Sequence, residues 1–596
     1  MKELASLNHY FWKYRWRLSL GILFIVGSNI FAVWQPKVIR QALDIVVNYL
    51  KEAQGKHFQV ESPEVQALSS QLAWFGLAAL GLAFCMGIFM YFMRQTVIVM
   101  SRLVEYDMRK EIFEHYEKLD QSFFRRSSTG DLMARITEDV SKVRQYMGPA
   151  LLYGINMVFL FSFVIYSMFS VNAKLAFFSI LPLPFLSISI YFISNIINKK
   201  STSIQQQLAV LNSTAQEVYS GIKVIKSYAQ EDRQINFFKE QAAVYMDKNM
   251  SMTRINAYFS PLMILIIGIS TIITIYVGGL QVIQGELTPG NIAEFVIYVN
   301  MLTWPVTSIG WIASLVQQAS ASQKRINEFL KLQPEILSPL DESRKFDGHI
   351  EFKSVALRYS DTGITALEKL NFSVLPGQKV ALIGRTGSGK TSIADLILRM
   401  YDPTVGAIYL DGVDLRKLDL HNLRQRIGYV PQDLFLFSDT VSNNIAFGQV
   451  DTDIETIEAF ARHASVHDDI QRLPAGFETV VGERGVTLSG GQKQRISIAR
   501  ALIKSPDLII LDDCLSAVDS NTEMQITGYL NDALEDKTAI IITHRIYTSL
   551  QFDQILVLGQ GTIVESGKHE ELLAAKGYYA GLFEQQQLED LAINEN

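Results

Sequence analysis

The sequence predicts an α-helical, six-span transmembrane domain followed by an α/β domain, and three observations predict it. Hydrophobic residues make up 48% of the 596, and charged residues only 19%, against about 25% in an average soluble protein. The charges are unevenly spread: residues 18–36, 65–93, 145–173, 175–198, 255–285 and 295–323 contain none. Beyond about residue 345 no such interval recurs, and short β-branched runs alternate with helical stretches. This composition excludes a disordered chain and a uniformly soluble enzyme. With 54 Lys+Arg against 60 Asp+Glu, the net charge of −6 offers no basic excess to attract nucleic acid, and no nucleic-acid partner is expected. Two cysteines, Cys85 and Cys514, are too few for a disulfide framework.

Each charge-free interval reaches the length of about 20 residues that a helix needs to cross a bilayer core, where lipid cannot satisfy an open backbone. Soluble helices show a polar face every 3.6 residues, and these intervals mostly do not. The first is too long for the apolar region of a signal peptide, and no small-residue cleavage site follows it. Orientation is read from Lys and Arg in the loops. Lys2, Lys13, Arg15 and Arg17 precede the first interval, and dense basic clusters occupy the long loops 99–146 and 197–257. The alternate loops carry Lys51, Lys56 and Lys174. Both termini and the two long loops are therefore expected in the cytosol, and the helix-forming composition of those loops predicts spans that project beyond the bilayer. The predicted boundaries are a transmembrane domain at 1–325, a linker at 326–346 broken by Pro334 and Pro339, an α/β domain at 347–583, and a flexible Gln- and acid-rich tail at 584–596.

The alternation after residue 347 reads as a largely parallel sheet. One apolar run, Val380 to Ile383, leads into Gly384-Arg385-Thr386-Gly387-Ser388-Gly389-Lys390-Thr391, and a helical stretch opens at Ser392. That is the phosphate-binding loop G-x-x-x-x-G-K-[ST] in its required strand-to-helix context. The glycines let backbone N–H groups close on phosphate oxygens, and the helix N-terminus adds a favourable field. Lys390 is placed to bridge the β- and γ-phosphates, and Thr391 to offer its hydroxyl to Mg2+. A second apolar run, Leu508 to Leu511, ends in Asp512, as a strand carrying a Mg2+-directed carboxylate should. The second domain is thus expected to be an α/β P-loop nucleotide-binding domain.

Between these motifs stands Leu488-Ser489-Gly490-Gly491-Gln492, followed by Lys493-Gln494-Arg495. With the motifs in this order, the chain resembles the ABC transporter family over essentially its whole length, and six spans ahead of one such domain resemble a type IV exporter half-transporter. The resemblance implies a dimer with twelve spans, with ATP and Mg2+ bound at two sites and ATP hydrolysis coupled to transport. Each ATP would lie between one chain's Gly384–Ser392 segment and the other chain's Leu488–Gln492 segment. Tyr359 resembles the aromatic that stacks on adenine, and Gln432 the residue that senses Mg2+ and the attacking water. His544 resembles the switch histidine at the γ-phosphate. Ser516-Ala-Val-Asp519 resembles the loop that crosses the dimer interface, and Gly482-Glu-Arg-Gly485 the segment that touches the partner's cytoplasmic loops. The segment from Ser128 to Arg135, with Asp139, resembles the first coupling region, and that from Glu217 to Glu231 the second.

One position departs from the family pattern. Most members place Glu after the Mg2+-binding Asp, where this chain has Asp513. The shorter side chain withdraws the carboxylate by about 1.5 Å, and general-base chemistry works only within hydrogen-bond reach. The chain then resembles the degenerate-site subunit of bacterial heterodimeric multidrug exporters, embedded among lipids in the cytoplasmic membrane. The partner implied is a second ABC half-transporter, with a homodimeric lipid or peptide flippase as the alternative. In the last span Glu294, Tyr298, Trp304 and Trp311 are available either to contact a small amphipathic solute or to pack against neighbours. No intramembrane Lys/Arg cluster suggests a phosphorylated headgroup, so hydrophobic or amphipathic solutes are favoured.

Overall fold

The computed structural model describes residues 2–52, 63–338, 345–449, 451–482, 485, 488–514, 520–534, 537–547 and 550–594. Two compact units emerge: Met1–Glu117 with Thr129–Leu332, and Lys118–Ser128 with Gln333–Asn596.

Among the described residues, six helices are long and apolar enough to cross a membrane: Arg15–Glu52, Val65–Lys118, Thr129–Val171, Ala173–Ser220, Glu231–Ile283 and Pro289–Leu330. Four of the charge-free intervals lie wholly within these helices, and the third and fifth each overrun their helix by two residues. The helices exceed the apolar stretches because polar helix formers continue them. At 1.5 Å per residue, the 54 residues of the second span extend about 80 Å, far beyond the hydrocarbon thickness of about 30 Å. The sixth span begins with a capping box, in which Thr288 and Asn291 exchange side-chain-to-backbone bonds, and Pro289 occupies the first turn.

Side chains tie the first and sixth spans together beyond the apolar stretches. Asp44 accepts from the Gly290 N–H and the Thr288 hydroxyl, each at 2.9 Å. A Cβ at Gly290 would stand 2.4 Å from Asp44 Oδ1, which explains the glycine. Arg40 pairs with Glu294 at 3.0 Å, and the Tyr298 hydroxyl lies 3.0 Å from the same carboxylate. Glu294 is 0% exposed. Of the candidate solute contacts it is thus a buried one in the single chain, and its carboxylate pairs with the partly exposed Arg40. At the other end of the sixth span Arg325 binds both Asp131, at 2.5 Å, and buried Asp139, at 2.9 Å. The first predicted coupling region accordingly packs within the membrane unit. The piece grouped with the nucleotide-binding unit lies just before it and contains the short helix Gln121–Arg126.

In the second unit, strands β3 (Lys379–Gly384), β6 (Ile427–Val430), β7 (Leu508–Asp512), β8 (Thr538–Thr543), β9 (Gln554–Gly559) and β10 (Thr562–Gly567) form one sheet in the order β10-β9-β3-β8-β7-β6. All neighbours are parallel except β9 and β10. Strands β7 and β8 are buried throughout, as uninterrupted apolar runs require when both faces of a parallel sheet are covered. A second, antiparallel sheet, not foreseen in the sequence, joins β1 (Ile350–Arg358), β2 (Thr365–Val374), β4 (Val405–Leu410) and β5 (Val413–Asp414) in the order β2-β1-β4-β5.

Two boundaries move. The sixth span remains helical to Leu330, so the connector begins later than residue 326; Pro339 lies outside the described residues. Residues 584–594 of the predicted flexible tail instead belong to a helix, Tyr578–Asn594. Gln586 fastens this helix by accepting from the Ile546 N–H at 2.8 Å and donating to the Ile546 carbonyl at 3.1 Å.

Candidate nucleotide site

Register brings the site together. Ile383 of β3 pairs with Thr543 of β8, and Asp512 of β7 with Ile542 of β8. The carboxyl ends of three adjacent parallel strands are therefore level, and the loops leaving them carry Gly384–Thr391, Asp512–Asp513 and His544. A parallel α/β sheet binds ligands at this edge.

Between these loops lies a cavity of about 300 Å3. One wall is phosphate loop and helix start: Thr386, Gly387, Gly389, Lys390, Thr391 and Ser392. The other carries Gln432, Asp512, Asp513 and His544, and Tyr359 closes one end. Gly389 has φ +99°, and a Cβ there would stand 2.6 Å from the Ala366 carbonyl oxygen, so no other residue fits the turn. Lys390 Nζ donates to the Gly384 and Arg385 carbonyls at 2.7 and 3.0 Å. Burial pulls its pKa down, against the opposing charges of Asp512 and Asp513.

Asp512 is buried, and its Oδ2 has no hydrogen-bond partner among the described residues. Burial raises its pKa; a Thr391 hydrogen bond and the Lys390 charge act the other way, while Asp513 adds to the rise. A buried, unsatisfied carboxylate oxygen beside a threonine hydroxyl and the Gln432 amide fits a hard, oxygen-preferring cation such as Mg2+. Asp513, at φ +52°, donates its N–H to the Ile542 carbonyl at 2.8 Å. Its Oδ1 lies 2.8 Å from His544 Nδ1.

Not every predicted residue faces this cavity. Gly384 ends β3, where a Cβ would meet the Leu558 carbonyl at 2.4 Å. Arg385 and Ser388 line a separate hollow beside Tyr578. Leu488, Ser489, Gly490, Gly491 and Gln492 do not line the cavity at all. They open the helix Gly490–Leu502, where Ser489 and Gln492 form a capping box. Ser516–Asp519, Glu483 and Arg484 fall outside the described residues.

Three neighbours escaped the sequence reading. Tyr401 packs edge-on to Tyr359 at 5.1 Å, and Arg125 lies 4.9 Å from the Tyr359 ring centroid. Asp395, one turn into the helix Lys390–Ile397, has its pKa pushed up to about 6 by burial and by Asp512, against the Arg125 charge. Arg125 had registered only as one of the loop cations; the other two carry no motif of their own.

Comparison with known proteins agrees with this architecture. Residues 18–306 match the ABC transporter transmembrane region, and residues 367–516 match the ABC transporter model. The chain is 36% identical to YheI, a probable multidrug resistance ABC transporter ATP-binding/permease protein of Bacillus subtilis, over 98% of both chains. It is also 36% identical to the multidrug resistance-like ATP-binding protein MdlA of Escherichia coli, over 99% of this chain and 97% of the other. An ATP-dependent lipid A-core flippase of Pseudomonas fluorescens is 34% identical over 95% of this chain and 94% of its own. Among solved structures, a bacterial Atm1-family ABC exporter with ATP bound superposes with a TM-score of 0.77 at 26% identity, covering 96% of this chain and 98% of that one. Fold, site and relatives agree: the chain belongs to the ABC transporter family, as a multi-pass membrane exporter driven by ATP hydrolysis.

Proposed function

We propose that this chain is one half of a dimeric exporter of amphipathic solutes, and that its phosphate loop holds ATP while hydrolysing it slowly. The observation that carries the reading is the separation within one chain of the phosphate cavity from the Leu488–Gln492 segment. Each is half of a nucleotide site, and a second half-transporter supplies the missing half. ATP binding then draws the two nucleotide units together, and hydrolysis releases them.

In that site the backbone from Thr386 to Thr391 cradles the phosphates, Lys390 leaves its loop carbonyls to meet them, and Tyr359 stacks on the base. Thr391, Gln432 and Asp512 hold Mg2+, which supplies neutralising charge to the phosphate oxygens when bound. Gln432 and His544 orient water and γ-phosphate, and Asp513 stands where a general base is needed. Its side chain, one methylene shorter than that of Glu, supports a weak base, and its Oδ1 lies 2.8 Å from His544 Nδ1. The other site of a heterodimer would use this chain's Ser489-Gly490-Gly491-Gln492 with a partner that carries Glu.

The exporter sits in the bacterial cytoplasmic membrane with both termini in the cytosol. Tyr153, Trp304 and Trp311 support an amphipathic solute: the ring centroids of the two tryptophans lie 5.2 and 5.6 Å from that of Tyr153, and they are 47% and 46% exposed in the single chain. The test is ATP-dependent accumulation of a lipophilic cationic dye in proteoliposomes containing the full-length chain with its co-purifying partner. Lys390→Ala should remove ATP binding at this chain's site and at least tenfold of the uptake. Uptake undiminished by that substitution would refute the reading, and a dimer of identical chains would refute the heterodimer.

A further inference from the structure

The segment Lys118–Ser128 belongs with the nucleotide-binding unit, and both of its arginines reach the stretch Tyr359–Asp361. Arg126 donates to Ser360 and pairs with Glu335 at 3.8 Å. Asp120 accepts from the N–H groups of Glu335 and Ile336, the latter at 3.3 Å. Arg125 reaches furthest: its guanidinium lies 4.9 Å from the Tyr359 ring centroid, donates to the Tyr401 hydroxyl at 3.3 Å, and stands 3.8 Å from Asp361.

Tyr359 is thereby held at three places. Its hydroxyl meets Ser392 Oγ at 2.9 Å, Tyr401 packs on it edge-on, and Arg125 sits at its ring. Tyr359 lines the nucleotide cavity and Arg125 does not, so the cation restrains the ring from outside the space a ligand would fill. A guanidinium over a tyrosine is attracted by the ring quadrupole. A stacking platform already fixed in orientation also loses less freedom when a ligand settles on it.

We propose that Arg125 is a positioning residue for the nucleobase. It acts through Tyr359, and it makes the loop joining the second and third spans sensitive to whether a base is stacked there. The inference rests on the proposed role of Tyr359 and goes beyond it by placing one of the three supports of the base platform in a loop of the membrane-spanning part of the sequence. It also predicts that the loop senses the base, rather than the phosphates alone.

The experiment uses the full-length dimer in lipid nanodiscs. A trace of ATP analogue bearing a photoreactive azidoanilide on its γ-phosphate labels this chain, and the label is competed by ATP or by ribose 5-triphosphate, which lacks the base. Arg125→Ala should raise the ATP concentration for half-competition about 5- to 20-fold and leave that for ribose 5-triphosphate within twofold. Arg125→Lys should fall between. In a Tyr359→Ala background Arg125→Ala should add nothing. Loss of competition by both ligands alike would mean a structural role and overturn the proposal. So would an unchanged ATP competition in Arg125→Ala when Tyr359→Ala alone weakens it. An unaltered ATP competition in Tyr359→Ala alone would overturn the stacking role of Tyr359 itself.

Discussion

Replacing Asp513 by Glu should turn a slow site into a faster one, and the geometry sets the size of the gain. A general base works at about 2.6–3.2 Å from the proton it takes, and contributes about 10²- to 10⁴-fold to rate. One missing methylene withdraws the carboxylate by about 1.5 Å, beyond that reach, and leaves Asp513 Oδ1 2.8 Å from His544 Nδ1. Glu restores the reach at a cost. The backbone at 513 has φ +52°, a region that Asp tolerates better than Glu by about 1 kcal/mol, or about fivefold in rate. The net expectation is a gain of at least about 20-fold in phosphate release by the full-length chain without its partner, in nanodiscs that hold two copies so that each supplies Leu488–Gln492 to the other, at saturating ATP and Mg2+. Photolabelling by the γ-azidoanilide ATP should change little, because the phosphate cradle is untouched. A wild-type chain already as fast as the variant, or a Glu variant no faster than wild type with labelling intact, would refute the general-base reasoning.

Asp395 gives a pH signature. Its pKa is raised from 3.8 to about 6, so burying its charge costs stability above pH 6, and the cost vanishes below pH 4. Asp395→Asn should therefore stabilise the nucleotide-free chain at pH 7.5 by up to about 3 kcal/mol, an upper limit because solvent reaches part of the side chain. The gain should fade as the pH drops from 6 to 4. Melting of the nucleotide-binding unit followed across that range checks it, and a gain that grows toward pH 4 would invert the sign. In the membrane unit, Arg40→Met leaves Glu294 buried without its ion-pair partner and should cost about 3–5 kcal/mol. Adding Glu294→Leu should recover most of the loss, as read by thermal stability in detergent; a double variant as unstable as the single would exclude the ion pair as the cause.

Legibility in the sequence followed locality. The six spans were readable because lipid forces a helix to satisfy its own backbone over about 20 apolar residues. The phosphate loop was readable because its glycines, lysine and threonine are consecutive, and the structure returns most of them to one cavity wall. The antiparallel sheet was not. Strand β1 carries register shifts between Phe352 and Val355 and again on to Leu357, and these break the alternation that announces a half-buried strand. The C-terminal helix was read as frayed because its surface is polar, whereas Gln586 fastens it to Ile546, 40 residues away. Likewise Arg40 finds Glu294 across 254 positions, a distance at which no sequence pattern links two residues.

The same locality explains why function was readable further than residue contacts were. Phosphate recognition needs N–H groups converging from one turn and one helix start, so evolution must write it contiguously. Base recognition needs only a fixed aromatic face, and its supports can come from anywhere in the chain. Around Tyr359, the proposed base platform, contacts come from Ser392 on the phosphate-loop helix, from Tyr401 beyond that helix, and from Arg125 in a loop between two spans. The Ser489–Gln492 capping box adds the complementary case. A helix start leaves its first four N–H groups without intrahelical partners, and the box satisfies only some of them. Among the described residues, this helix end does not line the cavity formed by the phosphate loop of its own chain. A contiguous motif thus names the ligand, and a second contiguous motif set apart from it points to another chain. On the proposed role of Tyr359, the scattered contacts around it give the membrane part and the nucleotide part of the sequence a common interest in the same bound molecule.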